Sequence, residues 1–159
     1  MQLTLHTETV IDSAHRLEGY EGKCSAVHGH SWKIELWFKG DHSLCDKVGI
    51  LVDFGIVKQL KDVLDHKYIN DVVDKNPTAE NLTMWVFEFI KSRIPKGIAV
   101  KIRIYETAVG KITYCEGGDF EVPHEECNCK KSTLVEEVIE DFLCKEEGDT
   151  LLTNKVSGE

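Results

Sequence analysis

The chain has 159 residues, 42% hydrophobic and 30% charged, with 3 Pro and 12 Gly, an ordinary globular composition that excludes collagenous, low-complexity and wholly disordered classes. That length suits one domain with a real core and excludes two independent enzymatic domains, and no apolar run is long enough to cross a bilayer. The formal net charge of −9 is uneven, with 15 Lys+Arg against 17 Asp+Glu in residues 1–120 and 4 against 11 in 121–159, so no basic stripe offers itself to nucleic acid, whereas an anionic small molecule stays open as a partner.

In chain order, residues 2–11 alternate, with Leu3, Leu5, Thr7, Thr9 and Ile11 on one side, which predicts a half-buried strand. A second strand is predicted over 28–39, with Trp32, Ile34, Leu36 and Phe38 on one face. Asp53 is a good N-cap, and Phe54, Val57, Leu60 and Leu64 then recur at helical spacing up to a stop near Asp65. A second helix opens around Asn76-Pro77-Thr78, presents Leu82, Trp85, Val86, Phe89 and Ile90, and closes at Pro95 and Gly97. Strands over 98–106 and 111–116 follow, separated by a turn at Val109-Gly110. The order strand, strand, helix, helix, strand, strand predicts an α+β domain, an antiparallel sheet with its helices on one face. Composition shifts after Phe120, which divides the chain into a domain of residues 1–120 and an acidic C-terminal extension, 121–159, with an amphipathic stripe from Leu134 to Leu143.

The N-terminus lacks a basic segment leading into an apolar one, so the expectation is a cytoplasmic protein whose Cys24, Cys45, Cys115, Cys127, Cys129 and Cys144 are thiols rather than disulfides.

The sharpest chemical feature is Cys24-Ser-Ala-Val-His28-Gly29-His30. Side chains two apart on a strand share a face, so His28 and His30 can converge on one ion, with Gly29 leaving room behind them. His15, just beyond the first strand, completes a three-imidazole set if the two strands pair, and three nitrogens with an open fourth position is the catalytic zinc arrangement. The bland alternative is a pair of surface histidines. Cys24 reads equally as a fourth ligand, an inert thiol, or a base or nucleophile activated by Lys23, Arg16 or the metal. Asp65-His66 marks the end of a helix, where a carboxylate can steady an imidazole if the chain turns, or where both are simply solvated. Glu106 continues the apolar face of Val100, Ile102 and Ile104, where a carboxylate needs partners such as the paired N–H groups of a flat heterocycle, unless the strand frays there into water. His124, Cys127, Cys129 and Cys144 form a weaker candidate for a second metal, with unligated thiols as the default.

Five blocks, Ala14-His15-Arg16-Leu17, C-x-x-x-H-G-H, residues 64–71, residues 76–82 and Tyr105-Glu106-Thr107, occur in the order seen in the 6-pyruvoyl-tetrahydropterin synthase family, and the chain resembles that family over roughly residues 1–118. The three-residue gap between Cys24 and His28 resembles the bacterial branch that forms 6-carboxy-5,6,7,8-tetrahydropterin in queuosine (7-deazaguanine) biosynthesis. The resemblance implies a tunnelling fold, a four-stranded antiparallel sheet with two helices on one face, whose trimers close into a barrel and pair as a homohexamer, a dimer of trimers. It implies zinc held by His15, His28 and His30, a catalytic Cys24 with Asp65 and His66 as proton-relay partners, some from a neighbouring subunit, Glu106 as the pterin anchor, and Thr78, Ala79 and Glu80 along the pterin ring. The implied reaction converts 7,8-dihydroneopterin triphosphate to 6-carboxytetrahydropterin, acetaldehyde and triphosphate. The nearest alternative is the pyruvoyl-forming reaction, which eliminates triphosphate without carbon–carbon cleavage; from another class comes a non-catalytic, zinc-stabilised assembly module with Cys24 on the metal. Arg16, Lys23 and Lys67 are phosphate-contact candidates by position alone.

Overall fold

A computed structural model describes residues 1–110 and 113–122 of the chain. The expected amphipathic stripe, the His124/Cys127/Cys129/Cys144 set and the start of the last predicted strand lie outside the described residues. The elements run β1 (Gln2–His15), β2 (His28–Asp41), α1 (Gly55–Leu64), α2 (Ala79–Lys91), β3 (Ala99–Tyr105) and β4 (Tyr114–Gly118), with short 3-10 turns at Lys23–Ser25, His42–Leu44 and Ile69–Asp71. The four strands form one antiparallel sheet in the order β1-β2-β3-β4. α1 lies against β1, and α2 against β3 and β4. None of the described helices is long and apolar enough to cross a membrane.

The core forms between the helices and one sheet face. From β2 and β3 it takes Trp32, Ile34, Leu36, Phe38, Val100, Ile102 and Ile104, and from the helices Leu60, Leu64, Leu82, Val86 and Ile90, all fully buried. Each such side chain contributes about 1.5–3 kcal/mol by leaving water. β1 alternates as expected, but its inward side chains are only half-buried up to Thr9 and become fully buried from Ile11 through Ser13 to His15. The helical layer thus covers the end of β1 that carries the histidine.

The opposite sheet face holds a feature that alternation alone does not reveal. Lys33, Glu35 and Lys101 are buried there, because antiparallel pairing sets charges of opposite sign side by side. Lys33 Nζ lies 2.5 Å from Glu8 and 2.7 Å from Glu35; Arg103 donates to Glu116 at 2.8 Å, and Lys101 Nζ lies 3.1 Å from the same carboxylate. Ion pairing offsets the desolvation that would otherwise expel these groups.

Several element boundaries depart from expectation: β2 runs on to Asp41 and β3 spans Ala99–Tyr105, and at α1, β4 and β1 the cause is visible. α1 begins at Gly55, after Asp53 Oδ1 has accepted the Gly55 N–H at 2.8 Å, and Phe54 is exposed; Ile56, Leu60 and Leu64 form the buried stripe instead. β4 continues two residues past Glu116, through Gly117 and Gly118. Gly118 has φ +145°, and a Cβ there would collide with the Val100 carbonyl oxygen, so only glycine lets β4 follow β3 to this point. β1 runs on to His15 rather than stopping at Ile11, because residues beyond Ile11 are bonded on both sides: β2 on one, and on the other a parallel bridge from Ala14 to Tyr68 with N–H bonds from His66 to Asp12 C=O and from Ala14 to Lys67 C=O. α2 starts as predicted, with Thr78 Oγ1 accepting the Asn81 N–H at 3.3 Å, a cap of about 1 kcal/mol.

Candidate functional site

The extension of β1 builds the site. His15 pairs directly with His28, and Ser13 with His30, so His15, His28 and His30 share the inner sheet face as a cross-strand pair and its diagonal neighbour. Their ring centroids are 4.5 Å (His15–His28), 5.1 Å (His15–His30) and 4.9 Å (His28–His30) apart. One ligand nitrogen from each lies within 4.8 Å of the others, and Cys24 is not in this converging group.

Two backbone carbonyls fix the rings. His15 Nδ1 bonds Pro77 C=O and His28 Nδ1 bonds Ala26 C=O, both at 2.8 Å. A carbonyl only accepts, so each Nδ1 carries the proton and each Nε2 keeps a free lone pair. The Nε2 atoms of all three histidines are buried without a hydrogen-bond partner. Burial is the main cause lowering the pKa of His15 and of His30; neighbouring imidazoles lower both further, while Glu106 opposes. Neutral imidazoles with orphaned lone pairs are the form in which histidine binds a metal, and three of them leave coordination positions open. The donor set therefore fits a metal ion. The indole of Trp32 closes the inner side, edge-on to His15 and His30 at 5.1 and 5.4 Å.

Glu106 follows the last residue of β3 and keeps the inward parity read from the sequence. Its Oε1 lies 3.6 Å from His30 Nε2 and 3.9 Å from His15 Nε2, with the side chain 40% exposed. The carboxylate thus borders the cluster and reaches water. Cys24 sits half-buried in the 3-10 turn between β1 and β2, its carbonyl accepting the Leu17 N–H at 2.8 Å. Asp65 and His66 stand where α1 has ended, His66 in the left-handed region with φ 55° and its side chain 80% exposed. Asp65 Oδ1 accepts the Asp12 N–H at 2.9 Å, the chief cause holding its carboxyl below the usual carboxylate range, with Lys61 and His66 contributing. The Asp65–His66 approach is 3.9 Å, longer than the 3.4 Å from Lys61 Nζ to the same oxygen, so the carboxylate serves the edge of β1 and Lys61 before the imidazole. His66 and Lys67 line an open cleft with Asp12, Gly29, Ser31 and Tyr68.

Thr78 and Ala79 start α2, and the Glu80 carboxyl is lowered chiefly by the Thr78 hydroxyl and then by its own N–H. This segment follows Pro77, whose carbonyl orients His15, so it adjoins the cluster. The room expected from Gly29 is not sterically demanded within the chain, since a Cβ there would meet only Ser13 O at 3.6 Å. Arg16, Lys23 and Lys67 are exposed, and Arg16 is paired with Glu18 at 2.7 Å. Sequence reasoning missed Pro77 and Ala26, which act through carbonyls that every residue carries, and missed Asn70 and Asn76, whose side chains bond the backbone after His15.

Residues 4–117 match the family model described as 6-pyruvoyl tetrahydropterin synthase. The chain is 28% identical over 118 residues to a 6-carboxy-5,6,7,8-tetrahydropterin synthase of Synechocystis sp., covering 69% of this chain and 91% of that protein. It is 30% identical over 118 residues to a dihydroneopterin monophosphate aldolase of Pyrococcus furiosus, covering 72% and 90%. The solved Caenorhabditis elegans 6-pyruvoyl tetrahydropterin synthase superposes with a TM-score of 0.57 at 24% identity, over 74% of this chain and 96% of that one. The Plasmodium vivax 6-pyruvoyltetrahydropterin synthase gives 0.55 at 15%, over 76% and 99%; the four-stranded sheet with its two helices is thus the tunnelling fold. With the family model matched over β1 to β4 and the histidine cluster standing inside the matched span, the chain belongs to the 6-pyruvoyl tetrahydropterin synthase family.

Proposed function

We propose that this protein is a zinc-dependent lyase converting 7,8-dihydroneopterin triphosphate and water to 6-carboxy-5,6,7,8-tetrahydropterin, with release of acetaldehyde and triphosphate, a step toward queuosine. The observation that carries the reading is the convergence of three buried, unpartnered Nε2 atoms beside the half-exposed carboxylate of Glu106. It is supported by curated relatives named 6-carboxy-5,6,7,8-tetrahydropterin synthase in Synechocystis and Haemophilus influenzae, the latter 26% identical over 136 residues.

His15, His28 and His30 would hold zinc through Nε2, and the chemistry zinc supplies there is acidification of the substrate's side-chain hydroxyls. Cys24 Sγ would take and return the carbon-bound proton, and His66, exposed and free to reach a neighbouring copy, would serve the remaining proton transfers with Asp65 beside it. Glu106 would accept N–H bonds from the pterin ring, setting its reacting side chain toward the histidines, while Thr78, Ala79 and Glu80 flank the ring. The assembly we assign is a hexamer of two barrel-closing trimers. β1 and β4 lie at the two sheet edges, and barrel closure would pair edges that otherwise offer unpaired backbone groups.

The test is incubation of the zinc-loaded protein with 7,8-dihydroneopterin triphosphate followed by product analysis. Acetaldehyde with a carboxylated pterin supports the proposal, whereas a pyruvoyl pterin without acetaldehyde assigns the pyruvoyl-forming reaction. A second reading is favoured by the 30% identity to the Pyrococcus aldolase; it expects cleavage of dihydroneopterin monophosphate and none of the triphosphate.

Two further outcomes follow. Glu106→Gln keeps size and one acceptor but removes the charge that strengthens bonds to ring N–H groups, so pterin affinity measured by calorimetry should weaken by about 1.5–3 kcal/mol; unchanged affinity removes the anchor. Truncation after Pro123 deletes most of the acidic extension, whose charge would repel a triphosphate, so zinc content and turnover should both survive. A truncated protein that keeps its zinc and oligomeric state but is inactive would put a tail residue in the reaction.

A further inference from the structure

Beyond His15, β1 loses its partner, since the β1–β2 pairing ends at His15 and His28. The chain nonetheless continues in an ordered way to the Cys24 turn. Its alternate residues Asp12, Ala14, Arg16 and Glu18 all turn backbone groups toward residues 65–76. Asp12 is met by the Asp65 carboxylate and the His66 N–H, and Ala14 by Lys67 C=O. At Arg16 and Glu18 the bonds from this segment come from two side-chain amides instead of main chain. Asn70 Oδ1 accepts the Arg16 N–H and Asn70 Nδ2 donates to Arg16 C=O, both at 3.0 Å. Asn76 Oδ1 accepts the Glu18 N–H at 2.7 Å, and its Nδ2 donates to Glu18 C=O at 2.8 Å.

A carboxamide presents the same acceptor and donor as a peptide group, so each asparagine acts as one residue of a missing strand. Asn76 is itself anchored, its carbonyl accepting from Thr78 N–H and Asn81 Nδ2, both at 2.8 Å, at the start of α2. Leu17, held between the two clamped residues, donates its N–H to Cys24 C=O at 2.8 Å. A continuous line of bonds thus runs from the capped end of α2, through Asn76 and the Arg16–Glu18 segment, to the residue bearing the thiol. The same helix start supplies the Pro77 carbonyl that orients His15.

We propose that Asn70 and Asn76 are positioning residues that hold the Cys24 turn in register with His15. This rests on the reading of Cys24 as the reacting thiol. Loss of either clamp leaves the histidine cluster intact, since neither asparagine touches it, but frees the turn; displacement of a reacting group by about 1 Å costs up to about 100-fold in rate.

The test uses the full-length, zinc-loaded protein and the variants Asn70→Asp, Asn76→Asp, Asn70→Ala and Asn76→Ala. The aspartates keep the volume and the acceptor but turn a second oxygen against the Arg16 or Glu18 carbonyl, so they separate bonding from packing and stand in if the alanine variants do not fold. Iodoacetamide alkylation, read on individual cysteine peptides by mass spectrometry, should speed up several-fold at Cys24 as the half-buried thiol is released, with Cys45 and Cys115 unchanged. Zinc content should stay at the wild-type level, and kcat should fall about tenfold or more while KM moves less than about threefold. Wild-type alkylation at Cys24, or equal acceleration at Cys24, Cys45 and Cys115, would overturn the clamp, as would faster alkylation with unchanged kcat. If the wild type turns over no pterin phosphate, that failure belongs to the proposed reaction, and the cysteine-by-cysteine alkylation decides the clamp alone.

Discussion

His28→Ala should leave a folded chain stripped of most of its zinc. Of the three clustered histidines, His15 is almost fully buried, with its side chain 1% exposed, whereas His28 sits half-buried at the first position of β2. Truncating it therefore removes little core volume. Its Nδ1 bond goes to the nearby Ala26 C=O rather than to another element, so no hydrogen bond to a distant residue is lost. Metal affinity responds differently. Losing an outer partner of a ligand typically costs about 10–100-fold in affinity, and losing a ligand from a set of three exceeds that. Circular dichroism should match the wild type while metal analysis falls well below one zinc per chain. Full zinc content in this variant would show that the imidazoles are not the ligands. Metal-edge absorption on the wild type should show nitrogen and oxygen neighbours only; a sulfur neighbour would mean that Cys24 closes the site as in a structural module.

How far the sequence could be read is decided by the range of each interaction. The parity of His28 and His30, and of Glu106 after Val100, Ile102 and Ile104, is a local property of extended chain and survives into the structure. The α1 stripe expected from Phe54, Val57, Leu60 and Leu64 is replaced by Ile56, Leu60 and Leu64, because the Asp53 side chain starts the helix at Gly55 and leaves Phe54 outside it. By alternation Lys33 and Glu35 fall on the face opposite Trp32 and Ile34. They are buried because β1 brings Glu8 and β3 brings Arg103 alongside, a consequence of register between strands that no window along one strand contains. Asn70 and Asn76 bond residues 54 and 58 positions away, so they read as ordinary loop formers. The carbonyls of Pro77 and Ala26 have no side-chain signature at all, although they set the proton positions on two of the three imidazoles.

Cys24→Ala should retain zinc and lose turnover. The thiol is absent from the group of ligand atoms that converge within 4.8 Å, so its removal takes nothing from the metal. The turn that carries it is held by backbone bonds, Leu17 N–H to Cys24 C=O and Ala26 N–H to Lys23 C=O, together with Ser25 Oγ to Gly22 C=O, none of which needs the Cys24 side chain, so the local fold should persist. In the reaction we propose, what disappears is the proton carrier, and removing a general acid or base typically costs about 100- to 10,000-fold. The asparagine variants keep the thiol and lose only its placement, so they should fall between the wild type and Cys24→Ala; a clamp variant slower than Cys24→Ala would mean that the loop around Arg16 does something the thiol does not. Loss of zinc from Cys24→Ala would return the site to the closed, four-ligand class. Near-wild-type turnover with zinc in place would transfer the carbon-bound proton to another group, and Glu106, whose carboxylate already lies 3.6 Å from His30 Nε2, would then be the residue to substitute next.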